Sequence, residues 1–176
     1  MLMKYFLSTI TKNKISETAL ISEKAIIVGP TFIDDNSVIG DYSMVRESQI
    51  GQDCLIGSYA EVARSYVGNN VLLHRNYIGD SVLNNDVMFG AQAVTGNLRF
   101  SGEKISSLVN EEKVDTNMNK LGAIIGNLSK IGVNATILPG VKIGKETWIS
   151  PGEVVRYDVD DKTYLANGDE KINLKI

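Results

Sequence analysis

Residues 31–50 read TFIDDNSVIGDYSMVRESQI, with aliphatic side chains at Ile33, Ile39 and Val45 before the interval contracts by one residue to Ile50. Such spacing fits neither the roughly 3.6-residue period of a helix nor the two-residue alternation of a long strand. It fits short strands joined by tight corners, each repeat giving one aliphatic side chain to a shared interior. Upstream the rhythm extends through Ile27, Ile21 and Ile15. Downstream it runs through Ile56, Val62, Val67, Leu73, Ile78, Leu83, Phe89 and Thr95, breaks between about 101 and 122, and returns at Ile125, Ile131, Ile137, Ile143, Ile149 and Val155. Internal repeats of this kind set the architecture before any local assignment. Three repeats close one coil, and stacked coils pair edge to edge at about 4.8 Å. The expected fold is a parallel β-helix, all-β, of about seven coils.

The flanking slots agree. Gly40, Gly51, Gly57, Gly68, Gly79, Gly90, Gly132 and Gly144 follow their aliphatic residues, and small residues (Ala19, Ala25, Ser43, Cys54, Ala60, Ala93, Ala135) recur in the fifth slot. Glycine relieves backbone crowding near a turn. A collagen reading would need glycine at every third position, and the chain does not have it. The expected organisation is a single domain over 1–176, with coils at about 15–100 and 123–158, an inserted loop at about 101–122 and a C-terminal tail at 159–176.

Composition bounds the function. The chain has 176 residues, is 43% hydrophobic and carries a net charge of −3, with a pI of about 5.2. These values suit a globular domain and argue against nonspecific binding to nucleic acid or to an anionic membrane. The lone cysteine, Cys54, sits in a small inward slot and is expected to pack rather than react. Residues 1–10 lack the length and cleavage pattern of a signal peptide, and no stretch is long enough to span a bilayer. The expected location is the cytoplasm.

Grouping the repeats in threes predicts three walls: Ile33, Ile50, Val67, Leu83 and Ile125; Ile39, Ile56, Leu73, Phe89 and Ile131; and Val45, Val62, Ile78, Thr95 and Ile137. Beside the second wall run Gly40, Gly57, His74, Gly90 and Gly132, so the only histidine stands in a column of glycines. Leu73 points inward, which turns His74 outward. A departure from a local rule is where function tends to sit, although an outward histidine can also be a bystander. Shortened repeats surround it (Val45-Arg46-Glu47-Ser48-Gln49, Val62-Ala63-Arg64-Ser65-Tyr66, Leu73-His74-Arg75-Asn76-Tyr77 and Ile78-Gly79-Asp80-Ser81-Val82). They carry Arg46, Arg64 and Arg75, which are either solvated charges or guanidinium groups placed for a phosphate. The interruption mixes Lys104, Lys113 and Lys120 with Glu103, Glu111, Glu112 and Asp115, so it is no anion cradle by itself. A long loop in a solenoid is usually functional or disordered.

Two stretches carry a family likeness. Residues 67–100, VGNNVLLHRNYIGDSVLNNDVMFGAQAVTGNLRF, and 121–155, LGAIIGNLSKIGVNATILPGVKIGKETWISPGEVV, resemble the acetyltransferase domain of N-acetylglucosamine-1-phosphate uridylyltransferase and related bifunctional sugar-phosphate nucleotidylyltransferase/acetyltransferases. Hexapeptides specify only the fold. The block His-x-x-Tyr-x-Gly-Asp with Phe-Gly-Ala and Thr-x-Asn is more specific. The resemblance implies a left-handed β-helix assembled as a homotrimer; general chain chirality would favour right-handed crossovers, so the hand rests on the likeness alone. It further implies acetyl-CoA as donor, an amino sugar or sugar phosphate as acceptor, and sites at subunit boundaries. His74 matches the family's general base and Asn97 the asparagine of Thr-x-Asn, both in catalytic roles. Tyr77, Arg46, Arg64, Arg75 and Lys104 match or lie near substrate contacts. Gly90, Ala91, Val133 and Pro151 fall to the coenzyme, and no metal is implied.

The chemistry is coherent. A neutral imidazole, with a reference pKa of about 6.5, takes the proton of an attacking amine near neutral pH. Backbone N–H groups at glycine-rich corners suit a thioester oxyanion, and fixed guanidinium groups suit a phosphate. Met88 stands where the family commonly has asparagine and Gln92 where it has glycine. The nucleotidylyltransferase part has no counterpart before Ile15, so acetyl transfer alone is expected. An alternative is a noncatalytic trimeric β-helix partnering a separate nucleotidylyltransferase. A γ-type carbonic anhydrase shares the scaffold but needs three histidine ligands, and this chain offers one per subunit.

Overall fold

In the computed structural model, which describes residue 9, residues 12–166 and residues 170–174, the inward side chains of successive coils stand directly on one another. Ile33 pairs with Ile50, Ile50 with Val67, Val67 with Leu83, Leu83 with Ile125 and Ile125 with Ile143, all in parallel register. The other two walls repeat this: Ile39 on Ile56 on Leu73, and Val45 on Val62 on Ile78. Seven strands build the first wall and seven the third, and the second extends to nine. Strands of two or three residues suffice because each contributes one inward side chain, and stacking supplies the rest.

The core is one continuous apolar column. Ile33, Val45, Ile50, Ile56, Val62, Val67, Leu73, Ile78, Leu83, Phe89 and Ile137 are fully buried. At about 25 cal/mol per Å² of buried apolar surface, these stacked residues dominate stability. Thr95, the one polar residue of the predicted inward set, is also fully buried, and its Oγ1 accepts the Gly79 N–H at 3.0 Å. Among the described residues the first coil ends the stack, with Ile15 exposed and Ile21 and Ile27 half-buried.

Glycine's role differs from the turn-relief expectation. The left-handed corner residues are mostly side-chain-bearing, among them Tyr42, Tyr59, Arg75, Gln92 and Asn134. The glycines instead lie where coils approach: a Cβ on Gly90 would sit 2.6 Å from the Val133 nitrogen.

Two segments differ from their sequence description. Within the insertion, Ile105–Val109 and Glu112–Met118 form an antiparallel hairpin, anchored by fully packed Ile105 and by Lys142 Nζ, which donates to the Leu108 carbonyl at 2.6 Å. The tail partly continues the solenoid, since Val159 bridges to Ile143 and Leu165 stacks on Ile149 before a hairpin with Glu170–Asn173. Residues 1–8 and 10, on which the signal-peptide reading rests, lie outside the described residues. Among the described residues no helix is long and apolar enough to cross a membrane.

Candidate active site

Three of the four shortened repeats, those that leave the third wall, share a buried serine that closes the missing residue's gap. Ser48 Oγ accepts the Ser65 N–H at 3.0 Å, Ser65 Oγ accepts the Ser81 N–H at 3.0 Å, and Ser81 Oγ accepts the Ala123 N–H at 3.0 Å. Each hydroxyl also donates to a carbonyl two residues back, of Arg46, Ala63 and Gly79. A tight corner that leaves no polar group unpaired can be rigid, and this corner borders the candidate side chains.

His74 lies on the neighbouring corner and is exposed. It follows Leu73 as the glycines follow their aliphatic residues, yet its backbone behaves differently. Gly57 N–H donates to Leu73 O, and Gly90 N–H to Ile131 O, in the next coil. The His74 N–H instead donates to Asn76 Oδ1, while its carbonyl accepts the Gln92 N–H at 3.2 Å. By that second bond His74 shares a column with Ala91 and Val133, whose carbonyls accept from Asn134 and Gly152. The shortened repeat has thus dropped the glycine itself and put the imidazole on the exposed rank.

The corner beside it carries a cation–aromatic stack. Tyr42 and Tyr59 stack with centroids 5.1 Å apart, Lys24 lies 5.2 Å above Tyr42, and the Arg75 guanidinium lies 5.6 Å from the Tyr59 ring. Arg75 is therefore held against its own coil stack next to His74.

On the third wall the structure joins Tyr77 and Asn97. Asn97 Nδ2 donates to Tyr77 Oη at 3.0 Å and to Asp80 Oδ2 at 2.5 Å. Asp80 also receives Arg64 Nε at 2.7 Å and Nη2 at 2.8 Å, and that pairing pushes the Arg64 pKa up. Gly79 makes the junction possible, because a Cβ there would lie 2.6 Å from Tyr77 Oη and 2.7 Å from Asn97 Nδ2.

Arg46 and Arg64 are not equivalent. Arg46 stacks on Ala63, while Arg64 falls in the slot of Glu47 and Asp80. Arg46 Nε and Nη2 both donate to Glu61 Oε1, at 3.0 and 2.5 Å. Both guanidinium groups are thus ion-paired along the Nε–Nη2 edge, which leaves the Nη1 edge for a ligand. Lys104 is exposed in the insertion, its Nζ donating to Asn117 Oδ1 at 2.7 Å.

The four coenzyme candidates converge. Gly90 stacks on Gly132 and Val133, and Gly132 on Pro151, so Ala91, Val133 and Pro151 form one exposed rank below His74. Among the described residues the Ala91 and Val133 N–H groups donate to no protein acceptor. Two unpaired amides on exposed residues of this rank suit an extended amide-bearing thioester. Met88 lies outward on the second wall and Gln92 on the corner, both exposed.

Sequence reasoning gave no role to Glu61 and Asn76, and it read Gly79 and Asp80 only as part of the His-x-x-Tyr-x-Gly-Asp block, without their contacts. Asp80 had a signal: Glu47, Arg64 and Asp80 occupy the same slot of successive five-residue repeats, with alternating charge. Asn76 had one too, as the large polar occupant of a slot that holds Ala60 and Ala93 on either side.

No protein-family model matches the chain. It is 40% identical over 159 residues to a bifunctional sugar-1-phosphate nucleotidylyltransferase/acetyltransferase of Sulfurisphaera tokodaii, covering 83% of this chain and 38% of that relative. It is 29% identical over 146 residues to the bifunctional protein GlmU of Methanocaldococcus jannaschii, covering 83% of this chain and 32% of the relative. The chain thus spans about a third of these relatives' length. Among solved structures, AntD, an N-acyltransferase from Bacillus cereus in complex with dTDP and 3-hydroxybutyryl-CoA, superposes with a TM-score of 0.51 at 22% identity, covering 98% of this chain and 88% of that one. The chain is a hexapeptide-repeat protein with the left-handed β-helix fold, homologous to the C-terminal part of the GlmU-type bifunctional nucleotidylyltransferase/acetyltransferases.

Proposed function

We propose that the chain is an acetyl-CoA-dependent acetyltransferase acting on an amino sugar or a sugar phosphate, with His74 as general base and the site completed in a cytoplasmic homotrimer. The observation that carries the reading is an exposed imidazole in the same column as unpaired backbone amides, with the Tyr77–Asn97 pair on the adjoining third wall. The homology to acetyltransferase-bearing relatives and the fold shared with an N-acyltransferase point the same way. The proposal covers acetyl transfer alone.

Acetyl-CoA supplies an activated thioester carbonyl. The Ala91 and Val133 N–H groups are placed to receive the donor's amides or the oxyanion that develops on its carbonyl. His74 takes the proton from the attacking amine as the C–N bond forms, and the imidazolium returns it to the departing sulfur as the C–S bond breaks, so that coenzyme A leaves as the thiol. Tyr77 and Asn97, held together over Gly79, present a rigid hydroxyl–amide pair to the sugar. The Nη1 edges of Arg46 and Arg64 offer charge-assisted bonds to an acceptor phosphate, with Arg75 and Lys104 at the margins.

The trimer has a surface to form on. Leu20, Val38, Leu55, Leu72 and Met88 stack in register outward along the second wall, and Leu20 is 66% exposed. A continuous apolar column on a solenoid wall is suited to self-association with closed symmetry. A thiol-release assay with acetyl-CoA and a panel of amino sugars, sugar phosphates and nucleotide sugars tests the proposal. Release with at least one acceptor is expected. No release with any of them, together with no acetyl-CoA binding by calorimetry, would favour the noncatalytic assembly reading.

A further inference from the structure

Asn76 is 2% exposed, and its side chain makes three hydrogen bonds. Its Oδ1 accepts the His74 N–H. Its Nδ2 donates to Gly90 O at 2.8 Å and to Ala93 O at 2.8 Å, in the next coil. The amide orientation is fixed by its partners, since flipping it would face an oxygen with two carbonyls and an NH₂ with an N–H.

These bonds fall where the regular ladder fails. Leu72 pairs with Met88, and the parallel register is not continued from Leu73 to Phe89, whereas Leu73 pairs normally with Ile56 above. The shortened corner leaves the His74 N–H without the next coil's carbonyl. Leaving this part-buried N–H unpaired would be costly, and Asn76 supplies the acceptor. The same side chain ties this corner to the Gly90–Ala93 corner, which carries the candidate coenzyme amides.

We infer that Asn76 is a positioning residue that fixes the imidazole of His74 relative to the donor-binding corner at residues 90–93. The inference rests on His74 being the general base. Asn76 touches no reacting atom and acts through the His74 backbone and through the Gly90 and Ala93 carbonyls. Small errors in the placement of a base lower turnover by up to about 100-fold, and loss of an orienting partner of a functional side chain costs a comparable factor.

A double-mutant cycle separates positioning from general support of the fold. Asn76→Ala suits the slot sterically, since Ala60 and Ala93 fill it in the adjacent coils. Asn76→Ser is a second variant, because Ser43 fills the equivalent slot two coils away with its Oγ 2.6 Å from Gly40 O. Asn76→Ala should lower kcat by roughly 10–100-fold in the wild-type background, with a KM for acetyl-CoA that rises, and Asn76→Ser should fall between. In the His74→Ala background the same change should alter kcat by less than about twofold, because there is no base left to place. A folded Asn76→Ala or Asn76→Ser variant with wild-type kcat, or an equal loss in both backgrounds, would overturn the inference. The His74→Ala single variant reads the underlying assignment by itself: if it keeps full turnover the base assignment fails, and if it loses turnover while the cycle shows no coupling, only the role of Asn76 fails.

Discussion

Asp80 and Arg64 form a two-pronged ion pair, Nε to Oδ1 at 2.7 Å and Nη2 to Oδ2 at 2.8 Å. The pair stands under the only described contact between Tyr77 and Asn97, because Asp80 Oδ2 also accepts from Asn97. Arg64 therefore has two functions to separate: it orients the Asp80–Asn97–Tyr77 chain, and in the proposed reaction its Nη1 edge meets the acceptor phosphate.

Replacing Arg64 with alanine should raise the KM of a phosphorylated acceptor much more than that of acetyl-CoA. It should also lower stability by about 1–3 kcal/mol, since a carboxylate whose side chain is 10% exposed loses its charged partner. Arg64→Lys keeps the charge but not the fork, so it should restore phosphate preference less well than it restores the melting temperature. Equal activity of the wild type on phosphorylated and unphosphorylated sugars would remove the phosphate role and leave the orienting one.

Gly79→Ala tests the same junction from beneath. The added methyl would lie 2.6 Å from Tyr77 Oη and 2.7 Å from Asn97 Nδ2, both far ends of side chains that can swing away. Stability should change by less than about 1 kcal/mol, while kcat/KM should fall by roughly 10–100-fold as the pair is parted. Steady-state kinetics with a parallel thermal melt reads both. Unchanged kinetics in the folded variant would mean that the Tyr77–Asn97 contact does not matter to the reaction.

The fold was legible because it rests on one rule, an inward aliphatic residue per repeat, and the register from Ile33 to Ile125 follows from counting. Side-chain bonds between coils were less legible. The sequence places Arg46 and Arg64 one coil apart and in different slots of their five-residue repeats, but it does not show which carboxylates they pair with, Glu61 for one and Asp80 for the other. The insertion reads as polar loop because its strands face solvent on both sides, with Leu108 and Val114 about half-exposed. Its order comes from Ile105 packing and from Lys142, contacts made over more than thirty residues of separation. His74 was found by its outward turn and its solitude. Asn76, which braces it, looked like an ordinary corner residue.

The oligomer is measurable directly. Light scattering should give a mass near three times 19.2 kDa. Leu72→Glu, placed in the middle of the apolar column on the second wall, should shift the protein toward monomer at micromolar concentration and abolish acetyl transfer with it. A monomeric wild type would remove the intersubunit site.

Cys54 should be inert until the chain unfolds. It is 2% exposed, its thiol donates to Gly68 O at 3.0 Å, and burial pushes its pKa up. A raised folded-state value means that the thiol stabilises the fold fully below its unfolded value, about 8.5. That contribution is lost as pH rises through the folded one. Native protein at pH 8 should therefore resist iodoacetamide and react only in denaturant. Cys54→Val, a residue the column already holds at Val71 and Val87, should flatten the fall in stability between about pH 8 and 10 relative to wild type. Rapid alkylation of the folded protein would contradict the packing.

The decisive substitution is His74→Ala. The imidazole is exposed, so its removal leaves the apolar column intact. The backbone bonds at position 74, to Asn76 Oδ1 and from Gln92 N–H, do not depend on the side chain. The melting temperature and the trimer should both survive. Turnover should drop by roughly 10²–10⁴-fold, the usual span for a lost acid–base group. Near-normal turnover in this variant would make the histidine a bystander. The proton would then have to go to another group, of which the exposed carboxylate of Glu103 in the insertion is the first to replace.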